Sequence, residues 1–349
     1  MAADLQDRLV AFVRAFAGGA AEDVSTMAGD ASTRRYHRVR TGGSPSSVVV
    51  MELPRDAPPP VSPGVGPPGP SFIAMQGYLE AAGFPVPRVY RADLALGLIA
   101  LEDLGDQTLD TALRTADAGE RRTLYAHAVT LVAQLQRVGA SRPDPSCLAF
   151  QRRFDERILR WELEHFREWL LEKGRQIRLA PAESSVLDDA FGWLARSLAD
   201  SPAVLVHRDF QSRNLMLVPA VPGRSAELKV IDFQDALLGS RAYDLVALLR
   251  DSYVELAAAE VAELLDLFAA AAEVSSVPNL RKLFHMQTVQ RKLKDAGRFV
   301  FLDRVRGNAS YLRWIPTSLR YVAEALPEVP ELAAAAELLR RHVPELRLP

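Results

Sequence analysis

The sequence predicts an α+β chain in two lobes: a small, mostly antiparallel β-sheet lobe with one helix over residues 1–102, and a large, mainly helical lobe over 103–349. Three observations predict it. Between residues 33 and 104 short apolar runs alternate with turn signals. Beyond Gly105 the apolar spacing is helical almost throughout. One block, residues 204–235, breaks that spacing with strand-like runs around a charged loop.

Taken in order, Leu5, Leu9, Phe12, Val13 and Phe16 recur at helical spacing and "AGG" stops the run, so the chain opens with an amphipathic, core-facing helix. "STRRYHRVR" and "SVVVMELP" read as strands joined by the turn-rich "TGGSPS". "PRDAPPPVSPGVGPPGP" holds too much Pro and Gly for a regular element and is expected as an exposed loop. "SFIAMQGYLEAAG" is a helix ending at Gly83, and "VPRVYRAD" and "LGLIALEDL" are strands. In the second lobe "ERILRWELEHFREWLLEKG" carries Trp161, Phe166 and Trp169 at roughly helical spacing, which favours core packing over sugar stacking. "VLVHRDFQSRNLMLV" and "LKVIDFQDA" read as two strands joined through "PAVPGRSAE".

With 349 residues, 48% hydrophobic and 25% charged, the chain has enough apolar matter for a substantial core and is neither disordered nor fibrous. A net charge of -2 gives no whole-chain attraction to nucleic acid or a membrane surface, so neither is expected as a partner. Cys147 is the single cysteine, which excludes an internal disulfide and a cysteine-clustered zinc site. "MAADLQDRLVAFVRAF" carries acids where a signal peptide needs a basic start, and no stretch has eighteen uncharged apolar residues. A cytoplasmic protein, expected as a monomer, fits these bounds.

The charges inside "VLVHRDFQSRNLMLV" (204–218) need a reason, because a buried carboxylate is costly unless it is paired, metal-bound or at work. His207, Arg208, Asp209 and Asn214 fall in the H-R-D-x-x-x-x-N register of a protein-kinase catalytic loop, and Asp232 in "VIDFQD" stands where that machinery has its metal-holding Asp. Phosphoryl transfer needs a carboxylate to orient and deprotonate the attacking hydroxyl, and oxygen ligands for Mg²⁺ beside the β- and γ-phosphates. On this reading Asp209 is the general base and Asn214 and Asp232 hold Mg²⁺, an ion that takes one or two protein oxygens plus phosphate and water. His207 and Asp244 are read as supports of the loop.

"HRDFQSRNLML", "VIDFQDALLGSRAYDLVALLRD", "GFPVPRVY" and "ALEDLG" resemble the aminoglycoside phosphotransferase and choline kinase superfamily, over most of the chain. The resemblance implies a protein-kinase-like two-lobed fold that uses ATP and Mg²⁺. Within it, "GDASTRRYHRV", "FIAMQGYLEAAGFPVPRVY", "RAYDLVALLRDSYV" and "QRKLKDAGRFVF" are similar to the anomeric kinases of N-acetylmuramate and N-acetylglucosamine in peptidoglycan recycling. That implies ATP and an amino sugar as substrates, a sugar 1-phosphate as product, and nucleotide contacts from Ser32, Arg34, Arg35 and the hinge residues Glu102, Asp103 and Leu104. It also implies acceptor contacts from Arg213, Gln234, Asp235, Arg241, Arg291 and Lys294.

The chain departs from the kinase pattern in three places. Met51 stands where the third strand should end in the phosphate-holding Lys, and Phe72 where the helix should supply its Glu partner. Their joint loss is physically consistent, since either charge alone in an apolar cleft is costly. The loop "AGDAST" has one glycine, Gly29, so Arg34, Arg35 or Arg38 either takes over the phosphate contact or faces solvent from a hairpin turn. The segment 281–320, with ten Lys or Arg against two Asp, is either a solvated helix face or a set of cations for an anionic acceptor such as the lactyl carboxylate of N-acetylmuramate. An aminoglycoside or choline-like acceptor, and a catalytically silent binding protein, stay open as alternatives.

Overall fold

The computed structural model describes residues 2–17, 21–27, 34–54, 69–220 and 226–347. Helix α1 (Ala2–Arg14) buries Leu9, Phe12 and Val13 against a five-stranded antiparallel sheet. Its strands are β1 (Ala21–Thr26), β2 (Arg35–Thr41), β3 (Ser47–Glu52), β4 (Val89–Asp93) and β5 (Leu98–Glu102), in the order β1-β2-β3-β5-β4. Side chains alternate across the sheet with the pleat. Val39, Val48, Val50, Leu98 and Ala100 pack with α1, while Val49, Met51, Ile99 and Leu101 join the core shared with the helical lobe. Helix α2 (Pro70–Ala81) packs in that second core through Phe72, Met75 and Leu79. Gly83, at φ 70°, carries the chain out of the helix in the left-handed conformation that glycine adopts freely.

Residues 1–102 therefore combine the opening helix, read separately from the sequence, with the one helix expected within the sheet lobe, and the two lie on opposite faces of the sheet. Strand β1 is additional: "AEDVST" has a single branched aliphatic residue, Val24, and pairs only along one edge, so no apolar alternation announces it. The Pro-rich segment lies outside the described residues from 55 to 68.

The rest of the chain is mainly helical: α3 (Leu109–Leu113), α4 (Ala118–Ser141), α5 (Leu148–Gln151), α6 (Glu156–Phe166), α7 (Pro181–Ala199), α8 (Tyr243–Leu249), α9 (Ala258–Ala271), α10 (Val277–Arg306), α11 (Ile315–Ala325) and α12 (Ala333–His342). The two expected strands resolve into three, β6 (Ala203–Val206), β7 (Leu215–Val218) and β8 (Glu227–Val230), and a fourth, β9 (Leu237–Ser240), follows them. β6 pairs with β9, and β7 with β8, each antiparallel. The polar loop lies between β6 and β7, so both ladders hold it. Helix α10 crosses α6 at Gly297, where an added Cβ would stand 2.7 Å from the His165 carbonyl oxygen and 2.7 Å from the Phe166 Cα. That close approach sets the α10 side chains beside the loop. Among the described residues no helix is long and apolar enough to cross a membrane.

Candidate active site

The loop between β6 and β7 is braced from below. Asp244, fully buried in the first turn of α8, accepts from the His207 N–H at 2.6 Å and the Arg208 N–H at 3.0 Å. Burial raises its pKa, while His207 and those two N–H bonds favour the charged form. His207 bonds on both sides, with Nδ1 accepting from the Asp209 N–H at 3.2 Å and Nε2 donating to the Ile231 carbonyl at 2.9 Å. These are the contacts that His207 and Asp244, expected from the sequence to support the loop, make there. Asp251, which the sequence reading did not single out, is a second brace: it accepts from the Ser212 N–H at 2.9 Å and the Ser212 hydroxyl at 2.6 Å. An acid closing the apolar run of α8 was the available signal. Arg208 sits at φ 82°, a left-handed conformation costing roughly 1–3 kcal/mol in a non-glycine residue, which the braces hold in place.

Asp209 presents a carboxylate that is 43% exposed, and its Oδ1 accepts from Arg291 Nη2 at 3.1 Å. Burial pulls its pKa up, but Arg291, Lys294 and Arg208 outweigh that and hold it below the usual carboxylate range. Arg291 was expected to receive the acceptor; instead it is fully buried in α10, with Nη1 donating to the Arg208 carbonyl at 2.6 Å and the guanidinium over the Tyr243 ring at 4.8 Å. These contacts tie α10 to the loop. Lys294, one turn on, pairs with Asp295 at 3.2 Å and keeps its charge in the field of Asp209. The basic segment thus divides: Arg281 and Lys282 are solvated ion pairs with Asp266 and Glu331, whereas Arg291 bonds to the loop and Lys294 stands in the field of Asp209.

At the open end of the β7–β8 ladder the Ile231 N–H donates to the Asn214 carbonyl at 3.0 Å, which brings Asn214 next to the turn carrying Asp232. The Asn214 amide donates to the Asp209 carbonyl at 2.8 Å, leaving its side-chain oxygen without a partner among the described residues. Asp232, at φ 67°, accepts on Oδ1 from Arg34 at 2.8 Å and Gln234 at 3.0 Å, and its Oδ2 has no partner among the described residues. Of the three arginines raised by the sequence, Arg34 therefore reaches the site. Arg38 is committed to Asp103 and Asp106, its Nε to Asp103 at 2.8 Å. Arg35 is exposed on the α1 face of β2, the parity of His37 and Val39, and is not brought to the cleft. Ser32 lies outside the described residues.

Met51 and Phe72 are both buried in one apolar cluster, and Phe72 stacks on Phe233 with ring centroids 4.9 Å apart. The missing ion pair is replaced by an apolar layer. The hinge offers less than expected. Glu102 spends its carboxylate on Lys229 at 2.6 Å and its N–H on the Arg88 carbonyl, and Asp103 is held by Arg38. Leu104 keeps a backbone N–H without a partner among the described residues.

Among the other expected acceptor residues, Gln234 and Asp235 lie at the site: Gln234 bonds to Asp232 and Asp235, and Asp235 has its pKa raised by burial and by the charges of Asp232 and Asp209. Arg213 is instead engaged 3.6 Å from Asp110 and 3.6 Å over the Tyr253 ring. Arg241 follows Ser240, which pairs with Ala203 at the end of the ladder opposite His207, so it is not brought to Asp209.

Residues 23–283 match the family model described as the phosphotransferase enzyme family. The N-acetylmuramate/N-acetylglucosamine kinase of Pseudomonas aeruginosa is 34% identical over 316 residues, 89% of this chain and 86% of that protein. The enzyme of the same name from Neisseria meningitidis is 33% identical over 325 residues, 91% of this chain and 90% of that protein. In fold, the ADP-bound aminoglycoside phosphotransferase APH(2'')-Ib superposes with a TM-score of 0.61 at 14% identity, covering 95% of this chain and 99% of its own. With an HRD loop braced under one exposed carboxylate, an Asn and an Asp at the adjoining hairpin, and a family match over most of its length, the chain belongs to the phosphotransferase enzyme family.

Proposed function

We propose that this chain is a Mg·ATP-dependent kinase that phosphorylates the anomeric hydroxyl of N-acetylmuramate and N-acetylglucosamine, giving the sugar 1-phosphate. The observation that carries the reading is Asp209: one exposed carboxylate, kept ionised by Arg291, beside two unpartnered oxygens on Asn214 and Asp232. The names of relatives one-third identical over nine-tenths of the chain supply the acceptor.

Asp209 orients the anomeric hydroxyl and takes its proton as that oxygen bonds to the γ-phosphorus; the bond to the β–γ bridging oxygen breaks and ADP leaves with the electron pair. The donor set fits Mg²⁺, since one amide and one carboxylate oxygen are hard ligands and, among the described residues, no group of three or more His, Cys, Asp or Glu encloses a metal on its own. Bound there, the ion neutralises charge on the β- and γ-phosphates. Arg34 supplies the cation that β3 lacks and grips phosphate oxygens bidentately. The Leu104 N–H meets the adenine edge, with residues 1–102 as the nucleotide-clamping lobe and 103–349 as the catalytic and acceptor lobe. The reading includes a monomer working in the cytoplasm, where ATP is supplied; light scattering of the purified protein tests the oligomeric part.

An ATP-consumption panel over N-acetylmuramate, N-acetylglucosamine, aminoglycosides and choline tests the acceptor. The amino sugars are expected to be turned over and 1-deoxy-N-acetylglucosamine to inhibit without consuming ATP. Turnover of the 1-deoxy sugar, or a product phosphorus signal coupled to the C6 protons rather than to H1, overturns the anomeric assignment.

A further inference from the structure

Among the described residues four Lys or Arg side chains stand in the field of Asp209, and three of them have an acidic partner. Arg291 grips Asp209 itself, Arg208 faces Glu162 at 3.7 Å, and Lys294 pairs with Asp295. Arg298 has no acidic partner among the described residues, and its Nη1 is buried without a hydrogen bond. Its guanidinium lies over the Phe301 ring at 4.7 Å. Burial and the nearby charges of Arg306 and Arg208 push its pKa down while Asp209 pulls it up, so it stands within the field of the reacting carboxylate.

Beside it, His165 is buried with Nε2 unpartnered, stacked on Trp161 at 5.3 Å and near Phe301 at 5.5 Å. Burial, then Arg298, Lys294 and Lys173, push its pKa down to about 3, so the imidazole is neutral and free to bond to a hydroxyl or amide. The Gly297 crossing is what brings these groups together. A buried polar group stabilises the fold only when it is hydrogen-bonded, and an unpaired guanidinium next to an unpaired imidazole offers a donor and a neutral ring nitrogen to one bound group.

We propose that Arg298, flanked by His165 and Lys294 and backed by Trp161, Trp169 and Phe301, binds a carboxylate on the sugar acceptor and selects N-acetylmuramate over N-acetylglucosamine. The inference rests on the amino-sugar kinase reading above and adds the residue that tells the two sugars apart. Arg291 and Arg298 are seven residues apart on one helix face, about 10 Å along the axis. With the anomeric hydroxyl at Asp209, that spacing suits an acidic group carried elsewhere on the ring: the lactyl ether two ring carbons away. Planar guanidinium meets carboxylate bidentately, and the aromatic side chains cover the apolar face of the sugar.

The test compares Arg298→Gln with Arg298→Lys. In Arg298→Gln the ratio of kcat/KM for N-acetylmuramate to that for N-acetylglucosamine should fall about ten- to a hundredfold, as loss of a charge-assisted bidentate bond implies, with the change in KM rather than kcat. Arg298→Lys should recover part of the ratio. An unchanged ratio, whether both sugars lose equally or neither does, overturns the proposal. Calorimetric titration of N-acetylmuramate separates it from the kinase reading. If the wild type phosphorylates neither sugar but binds N-acetylmuramate in an Arg298-dependent way, the subsite stands and the reaction assignment falls; if the wild type does not bind N-acetylmuramate, the subsite falls.

Discussion

At the residue scale the site is a contest between burial and charge on Asp209. Burial alone would raise its pKa, and Arg291 with its neighbours reverses the sign. A general base works deprotonated, so activity should persist as pH falls until it passes the depressed folded pKa. In Arg291→Gln burial acts with less opposition, and the acid limb of the kcat/KM profile should move to higher pH; Arg291→Lys should leave it closer to the wild type. A limb that stays put in Arg291→Gln shows that Arg291 only packs. Asp209→Asn should lower turnover about 10²- to 10⁴-fold while Mg·ATP still binds, measured by titration, because the amide keeps the shape and cannot take the proton. The register of His207, Asp209, Asn214 and Asp232 was readable because those residues lie close in sequence. Arg291 could be listed as a cation but not assigned its task, since the bond to Asp209 spans 82 positions that no local pattern encodes.

At the element scale, strands with an apolar run between turn signals were legible and those without one were not. β3 and β5 are short apolar runs bounded by turn residues; β1 is polar along an edge, and β9, "LLGS", is too short and too glycine-bearing to show a period. The replaced ion pair is a property of two elements, β3 and α2, and it has a measurable consequence. Met51→Lys puts a cation into an apolar layer with Phe72 where an acid would have to be, and should destabilise the fold by about 3–5 kcal/mol in chemical denaturation. Adding Phe72→Glu should recover part of that loss; no recovery means the two side chains do not face each other. Helix α10 is equally exacting. Gly297→Ala places a methyl against the α6 backbone, which cannot swing aside like a side chain, and should cost about 1–3 kcal/mol.

At the scale of the whole molecule, ion pairs among the described residues join the sheet lobe to the helical lobe, and two of them reach furthest along the chain: Arg34 with Asp232, and Glu102 with Lys229. Their partners are 198 and 127 positions apart, so the two lobes were legible in the sequence and the ties between them were not. Asp232 serves both the tie and the proposed metal contact, and this makes the assembled cleft testable without turnover. A ligand at a hundred times its Kd stabilises the native state by about 2.7 kcal/mol, so saturating Mg·ATP should raise the wild-type melting temperature measurably. In Arg34→Ala the rise should shrink yet still require Mg²⁺, because a phosphate grip is lost and the metal oxygens remain. In Asp232→Ala the part of the rise that depends on Mg²⁺ should vanish. The unliganded protein should lose little, since a partly exposed ion pair contributes only about 0–1 kcal/mol. If Asp232→Ala keeps the full Mg²⁺-dependent rise, the carboxylate belongs to the tie alone and the metal is held elsewhere.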